Sequence, residues 1–165
     1  MKGSRVLVVG MARSGVAAAR MLHETGALVR ISDQKTEAEL LGQLDELRLD
    51  GIEWRLGEAA EALLEGMDLV VVSPGVPITH PAIEKAKQLG IPVIGEMELA
   101  FRHAQGRLIA ITGTNGKTTT CTLTGEIFKN AGKLTHVVGN IGVPYASVAL
   151  KTRPEDVTVC EVSSF

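Results

Sequence analysis

At 165 residues, with 45% hydrophobic and 22% charged side chains, the chain has the make-up of a globular protein with apolar material for more than one ordinary core. Its 17 basic and 19 acidic side chains leave a net charge of -2, which gives no electrostatic reason to expect nucleic acid or an anionic membrane as a partner. The apolar run in MKGSRVLVVG is too short for a secretory signal and no stretch is long enough to span a bilayer, so a cytoplasmic location is expected. Cys121 and Cys160 sit inside helical and strand patterns and read as buried small hydrophobes; His23, His80, His103 and His136 lack metal-ligand spacing.

In chain order, Arg5 to Val9 is a nearly continuous β-branched run, as expected for a strand buried on both faces of a parallel sheet. The turn Gly10-Met11-Ala12-Arg13-Ser14-Gly15 opens a helix with Gly15, Ala18, Ala19 and Leu22 on one face, ending at Gly26. This is Gly-x-Ala-x-x-Gly, a near miss to the dinucleotide fingerprint. Ala12 puts a methyl where a pyrophosphate has to approach, so the phosphates sit differently or the ligand is not a dinucleotide; a bare βα turn is the plain alternative. Leu28 to Ser32 is the second strand, with Asp33 at the place where such units put an acid for a ribose. Thr36 to Glu39 reads as a capping box, predicting a helix with Leu40, Leu44 and Leu47 on one side as far as Gly51.

Strand Ile52 to Leu56, a short helix from Glu58 to Leu64 and strand Asp68 to Val72 continue the alternation and predict a doubly wound parallel sheet. Ser73-Pro74-Gly75-Val76-Pro77 then forms a rigid loop at the carboxyl edge, either a binding loop or a plain turn. Helix His80 to Leu89, strand Ile91 to Ile94 and helix Glu96 to Ala104 complete the first domain, taken as residues 1–101, with residues 102–165 beginning a second.

The second part opens on a strand, Arg107 to Thr112, that runs into Gly113-Thr114-Asn115-Gly116-Lys117-Thr118-Thr119. Gly113 and Gly116 allow backbone N–H groups to approach an anion, Lys117 adds a full positive charge, and the Thr118 hydroxyl can ligate a magnesium ion carried by a nucleotide. In the standard Gly-x-x-x-x-Gly-Lys-Ser/Thr spacing the first glycine would fall at Ile111, so Gly113 has to make the first tight turn. The following helix is expected to bury Leu123, Ile127, Phe128 and Ala131, closing at Gly132. Strand Leu134 to Val138 leads to Gly139-Asn140-Ile141-Gly142, and Val157 to Val162 is a strand carrying Glu161 near its end, where a carboxylate can hold magnesium opposite a phosphate loop; the plain alternative is an edge glutamate facing solvent.

Taken together, Gly-x-x-x-Ser-Gly after the first strand, Ser-Pro-Gly-Val-Pro, Gly-Thr-Asn-Gly-Lys-Thr-Thr, Gly-Asn-Ile-Gly and Glu-Val-Ser-Ser-Phe, in that order, resemble the Mur ligase family over the whole chain. The resemblance implies an α/β fold: a Rossmann-like parallel-sheet domain for a UDP-sugar, followed by the first part of a P-loop ATP-binding domain. It implies ATP and Mg2+, with Gly113, Thr114, Asn115, Gly116, Lys117, Thr118 and Thr119 on ATP, Thr118 and Glu161 on the metal, and Lys117 and Glu161 as catalytic residues. Arg13 and Ser14 are implied for the diphosphate, Asp33, Gln34 and Lys35 for the uridine end, Gly75 for the same nucleotide, Asn140 for the muramoyl and diphosphate region, and Ser163 for the muramoyl-alanine part. The implied reaction adds D-glutamate to UDP-N-acetylmuramoyl-L-alanine through an acyl phosphate, in a monomeric enzyme, with the 165-residue piece inactive by itself. Competing expectations are a sister ligase adding L-alanine to UDP-N-acetylmuramate, an NAD-dependent oxidoreductase read from Gly10 to Asp33 alone, and a regulatory nucleotide-binding module.

Overall fold

The computed structural model describes residues 1–40, 51–140 and 142–163, which fall into two compact units, Met1–Leu99 and Ala100–Phe165. In the first, strands β1 (Arg5–Val9), β2 (Leu28–Asp33), β3 (Ile52–Leu56), β4 (Leu69–Val72) and β5 (Val93–Gly95) form a parallel sheet in the order β3-β2-β1-β4-β5. The central place of β1 accounts for its unbroken apolar run, because Val6, Leu7 and Val8 are all 0% exposed and neither face meets water.

Helix α1 (Arg13–Glu24) buries Gly15, Ala18, Ala19 and Leu22, the face its spacing predicts. A second apolar cluster joins Leu7, Val9 and Val70 to Ala60, Leu63 and Leu64 and to Ala82 and Ala86 of helix α2 (Pro81–Gln88). Each leucine wholly withdrawn from water in this way stabilises the fold by about 2 kcal/mol. Helix α3 (Glu96–Phe101) carries the chain from the first unit into the second.

Several elements are shorter than their sequence pattern. The Glu58 to Leu64 stretch makes only a 3₁₀ turn, Ala60–Leu63, and β5 starts at Val93 instead of Ile91. The Glu39 carboxylate takes both the Thr36 amide and the Thr36 hydroxyl, each at 2.8 Å, over a 3₁₀ turn at Glu37–Glu39. Leu40 is buried behind that turn, while Leu44 and Leu47 lie outside the described residues.

The second unit has three parallel strands, β6 (Arg107–Ile111), β7 (Thr135–Gly139) and β8 (Val157–Glu161), in the order β6-β8-β7, with helix α4 (Lys117–Asn130) packed on them. The expected buried stripe of α4 is corrected here. Leu123 and Ile127 are 60% and 59% exposed and Ala131 is exposed too; Cys121 and Gly125 are buried, with Phe128 half-buried. Gly125 explains the rotation, since a Cβ there would stand 2.4 Å from Val137 Cγ2, so the helix approaches the sheet along its smallest residues. At the amino-terminal end of this sheet, buried Asp156 accepts from the Arg153 amide at 3.0 Å and contacts His136 Nε2 at 3.2 Å.

Two candidate nucleotide sites at the sheet edges

The turn between β1 and α1 is held tightly from below. A Cβ on Gly15 would lie 1.8 Å from the Gly10 carbonyl oxygen, and Gly10 itself has φ +95°, so both positions require glycine. Asp33 locks the turn from the end of β2: one carboxylate oxygen accepts from the Met11 amide at 2.7 Å and the other from the Lys35 amide at 2.9 Å. The first hydrogen bond of α1 runs from the Val16 amide to the Ala12 carbonyl, and among the described residues no side chain caps the helix. The amides of Arg13, Ser14 and Gly15 therefore point out of the helix start without an intrahelical partner, as an anion site requires.

Beside this turn lies a cleft of about 240 Å³ that brings Asp33, Gln34 and Gly75 together with Gly10, Ala12 and Ser73. Arg13, Ser14 and Lys35 are outside its lining, on the turn and loop next to it. His80 and Ser32, not singled out from sequence, also line it. His80 begins α2 by accepting the Ala82 amide on Nδ1 at 3.2 Å, and its Nε2 stands 3.5 Å from the Gln34 side-chain nitrogen. The Pro81 that follows it was the available signal for His80. Ser32 carried none, because only the pairing of strands places it at the cleft.

In the second unit, Gly116 (φ +75°) caps α4 and Gly113 takes φ +150°, conformations that turn the strand sharply into the helix. The first bond of α4 joins the Thr120 amide to the Gly116 carbonyl at 2.9 Å, leaving the amides of Lys117, Thr118 and Thr119 free of intrahelical partners. Thr114 and Asn115 are exposed at the loop tip. The Lys117 ammonium folds back into the loop and donates to the Gly113 carbonyl at 2.7 Å.

Glu161 is 4% exposed, so it is not an edge glutamate in solvent, and its carboxylate accepts from the Thr118 hydroxyl at 2.9 Å. These two hard oxygen ligands side by side fit a magnesium ion, which takes few protein groups and completes its octahedron with phosphate oxygens and water. A Cβ on Gly139 would meet the Glu161 carbonyl oxygen at 2.3 Å, so β7 and β8 close up directly beside this carboxylate. The Asn140 side-chain amide donates to the Ser163 hydroxyl, which brings these two expected substrate residues together in this unit. Burial and then the Glu161 charge push the Cys121 thiol up, which makes it a packing group and not a nucleophile.

Comparison with known proteins agrees with this two-part layout. Residues 4–95 match the family described as Mur ligase MurD-like, N-terminal domain, and residues 111–165 match the Mur ligase middle domain. Relatives named UDP-N-acetylmuramoylalanine--D-glutamate ligase are 53% identical in Alkaliphilus metalliredigens and 47% identical in Caldanaerobacter subterraneus, each over the whole of this chain. The chain spans 37% of the length of those two relatives. Among solved structures, the UDP-N-acetylmuramate-alanine ligase of Thermotoga maritima superposes with a TM-score of 0.56 at 22% identity, over 96% of this chain and 37% of that one. A UDP-N-acetylmuramate:L-alanyl-gamma-D-glutamyl-meso-diaminopimelate ligase from Neisseria meningitides gives 0.58 at 22% identity, over 96% of this chain and 52% of that one. At that identity the two structures speak for the fold, which is the expected mixed α/β one with parallel sheets. With one family domain matched across most of the first unit and the next across most of the second, the chain belongs to the Mur ligase family.

Proposed function

We propose that this chain is the nucleotide-handling part of an ATP-dependent amide ligase that joins D-glutamate to UDP-N-acetylmuramoyl-L-alanine in peptidoglycan precursor synthesis, working in the cytoplasm as a monomer. The observation that carries the reading is the Thr118 hydroxyl on the buried Glu161 carboxylate at the mouth of a glycine loop that also holds Lys117. Relatives 42–53% identical over the whole chain and named for this reaction support the choice of amino acid.

In the first unit, the free amides at the start of α1 with Arg13 and Ser14 hold the diphosphate, Asp33, Gln34 and Lys35 orient the uridine, and the Gly75 backbone lies alongside it. In the second, Asn140 meets the muramoyl and diphosphate region and Ser163 the muramoyl-alanine part, and residues Gly113 to Thr119 hold the triphosphate, with Thr118 and Glu161 holding Mg2+. ATP supplies the phosphoryl group that turns the alanine carboxylate into an acyl phosphate, from which the D-glutamate amine displaces phosphate, and Mg2+ offsets the charge. Lys117 exchanges the Gly113 carbonyl for a phosphate oxygen, and the amides of the first helical turn stabilise the negative charge that shifts between oxygens. Positioning and fixed dipoles do this work, so no side chain has to act as a strong base.

Calorimetric titration of the 165-residue chain tests the first half. UDP is expected to bind, and NAD binding tighter than UDP would return the oxidoreductase reading. For the whole reaction, a protein of the relatives' length that contains this chain is expected to release phosphate only with UDP-N-acetylmuramoyl-L-alanine and D-glutamate together. Release with UDP-N-acetylmuramate and L-alanine instead would assign it to the sister ligase.

A further inference from the structure

Ser32 lies between the apolar middle of the sheet and its charged edge, with Arg55 of β3 in register beside it on one side. It pairs with Val9 on the neighbouring strand, and Val9 pairs with Val72 on its other side, so in this parallel register the three side chains share one face. That is the face on which Leu7, Val9 and Val70 pack against Ala60 and Leu63. Ser32 is 1% exposed, and its hydroxyl has no hydrogen-bond partner among the described residues. Its backbone carbonyl is already used by the Gly10 amide at 2.8 Å, so the unmet group is the side chain alone. Alanine at this place would not leave a buried hydroxyl unpaired, and that unpaired group is the larger cost.

The same residue lines the cleft beside the β1–α1 turn, next to apolar Val9, Ala60, Val76 and Pro77. Ser73, at 2% exposure, is a second buried hydroxyl in that cleft without a partner among the described residues. Apolar walls, the polar side chains of Asp33, Gln34 and His80 and two unpaired hydroxyls together suit a flat ring with a polar edge. We propose that Ser32 is a specificity-determining residue that hydrogen-bonds the base of the bound uridine nucleotide, an assignment that rests on the nucleotide reading of this cleft. Rotation about its Cα–Cβ bond reorients the hydroxyl without moving the backbone, and a hydroxyl both donates and accepts, so it can meet a ring carbonyl or a ring N–H.

Ser32 is a cleaner probe than Ser73, whose Cβ lies 3.0 Å from where a Gly10 Cβ would stand and so packs against the turn itself. The experiment titrates UDP and ADP into the wild-type chain, S32A and S32T, and records the thermal midpoint of each protein without ligand. S32A is expected to bind UDP about five- to tenfold more weakly, with the UDP-over-ADP preference reduced by a similar factor. Its ligand-free midpoint should stay equal or rise, and S32T should recover wild-type affinity to within about twofold. UDP binding unchanged in S32A overturns the assignment. So does an equal loss for both nucleotides, or a loss that S32T fails to recover, since either would place the effect in packing. A wild-type chain that does not bind UDP removes the nucleotide reading and this assignment with it, whereas wild-type binding with an unchanged S32A removes the assignment alone.

Discussion

The two glycine turns follow one plan, strand to turn to helix start, and differ in what surrounds them. At Gly10 to Gly15 the walls are backbone: the Gly10 carbonyl fills the space of a Gly15 side chain and Asp33 clamps two amides, with no lysine in the turn. At Gly113 to Thr119 a Cβ on Gly116 would meet nothing within 4 Å among the described residues, and the neighbourhood supplies Lys117 and the Thr118–Glu161 pair instead. A rigid turn whose donors are backbone amides with the Arg13 and Ser14 side chains suits a diphosphate that is held and kept. An open loop with a lysine cation and two oxygen ligands for a metal suits a phosphate that is transferred.

The largest expected effect breaks the second side of this contrast. K117A should lower phosphate release by about a thousandfold in a protein of the relatives' length, while UDP affinity stays at the wild-type value. Near-normal release would mean the loop is misread, and a parallel fall in UDP affinity would mean that the two turns do not serve separate ligands.

Next in size is the rigidity of the first turn. G15A should destabilise the chain by about 3 kcal/mol in denaturant unfolding, because its methyl has nowhere to go. G116A should cost only about 1 kcal/mol, from the left-handed backbone alone. Equal costs would erase the distinction between a closed and an open turn.

D33N replaces one carboxylate oxygen by an amide that cannot accept, so either the Met11 or the Lys35 amide loses its partner. About 1 to 2 kcal/mol of stability should go with it, together with roughly tenfold in UDP affinity and nothing in ATP affinity. An unchanged UDP titration would make Asp33 a brace and nothing more.

The smallest effect separates the second loop from its foundation. Burial raises the Asp156 carboxyl, but the His136 ring and the Arg153 amide, with their charges, outweigh it and leave the group below its ordinary value. A carboxylate lowered by folding adds stability that is present above its unfolded value and is lost as pH falls through the folded one. Acid unfolding of H136A should therefore begin from a lower midpoint at neutral pH and lose less of its stability as pH falls through and below the ordinary carboxylate range. An unchanged pH profile would show that the contact contributes nothing.

These differences also separate what lies along the chain from what only the fold brings together. Gly113 to Thr119 was legible because its chemistry is contiguous, and the α/β alternation because apolar runs and glycine stops mark every crossover. Glu161 was legible as a charge at the end of an apolar strand, and its burial follows from the central place of β8, flanked by β6 and β7. Leu123 and Ile127 were misread because periodicity identifies an apolar stripe without naming what covers it, and the close approach at Gly125 turned a different stripe toward the sheet. The double role of Asp33 and the position of Ser32 depend on register between strands distant in sequence, which spacing along the chain does not encode.

The start of α2 has a consequence for the chemistry of the first cleft. Since His80 Nδ1 accepts the Ala82 amide, the neutral ring carries its hydrogen on Nε2, the nitrogen nearest the Gln34 side chain. The helix thus selects the tautomer, and the rim of the cleft at His80 is a donor by construction. Gln34 meets it best with its amide turned so that the oxygen faces the ring. Turning the imidazole over would leave the helix uncapped, so this corner keeps one polarity whatever occupies the cleft.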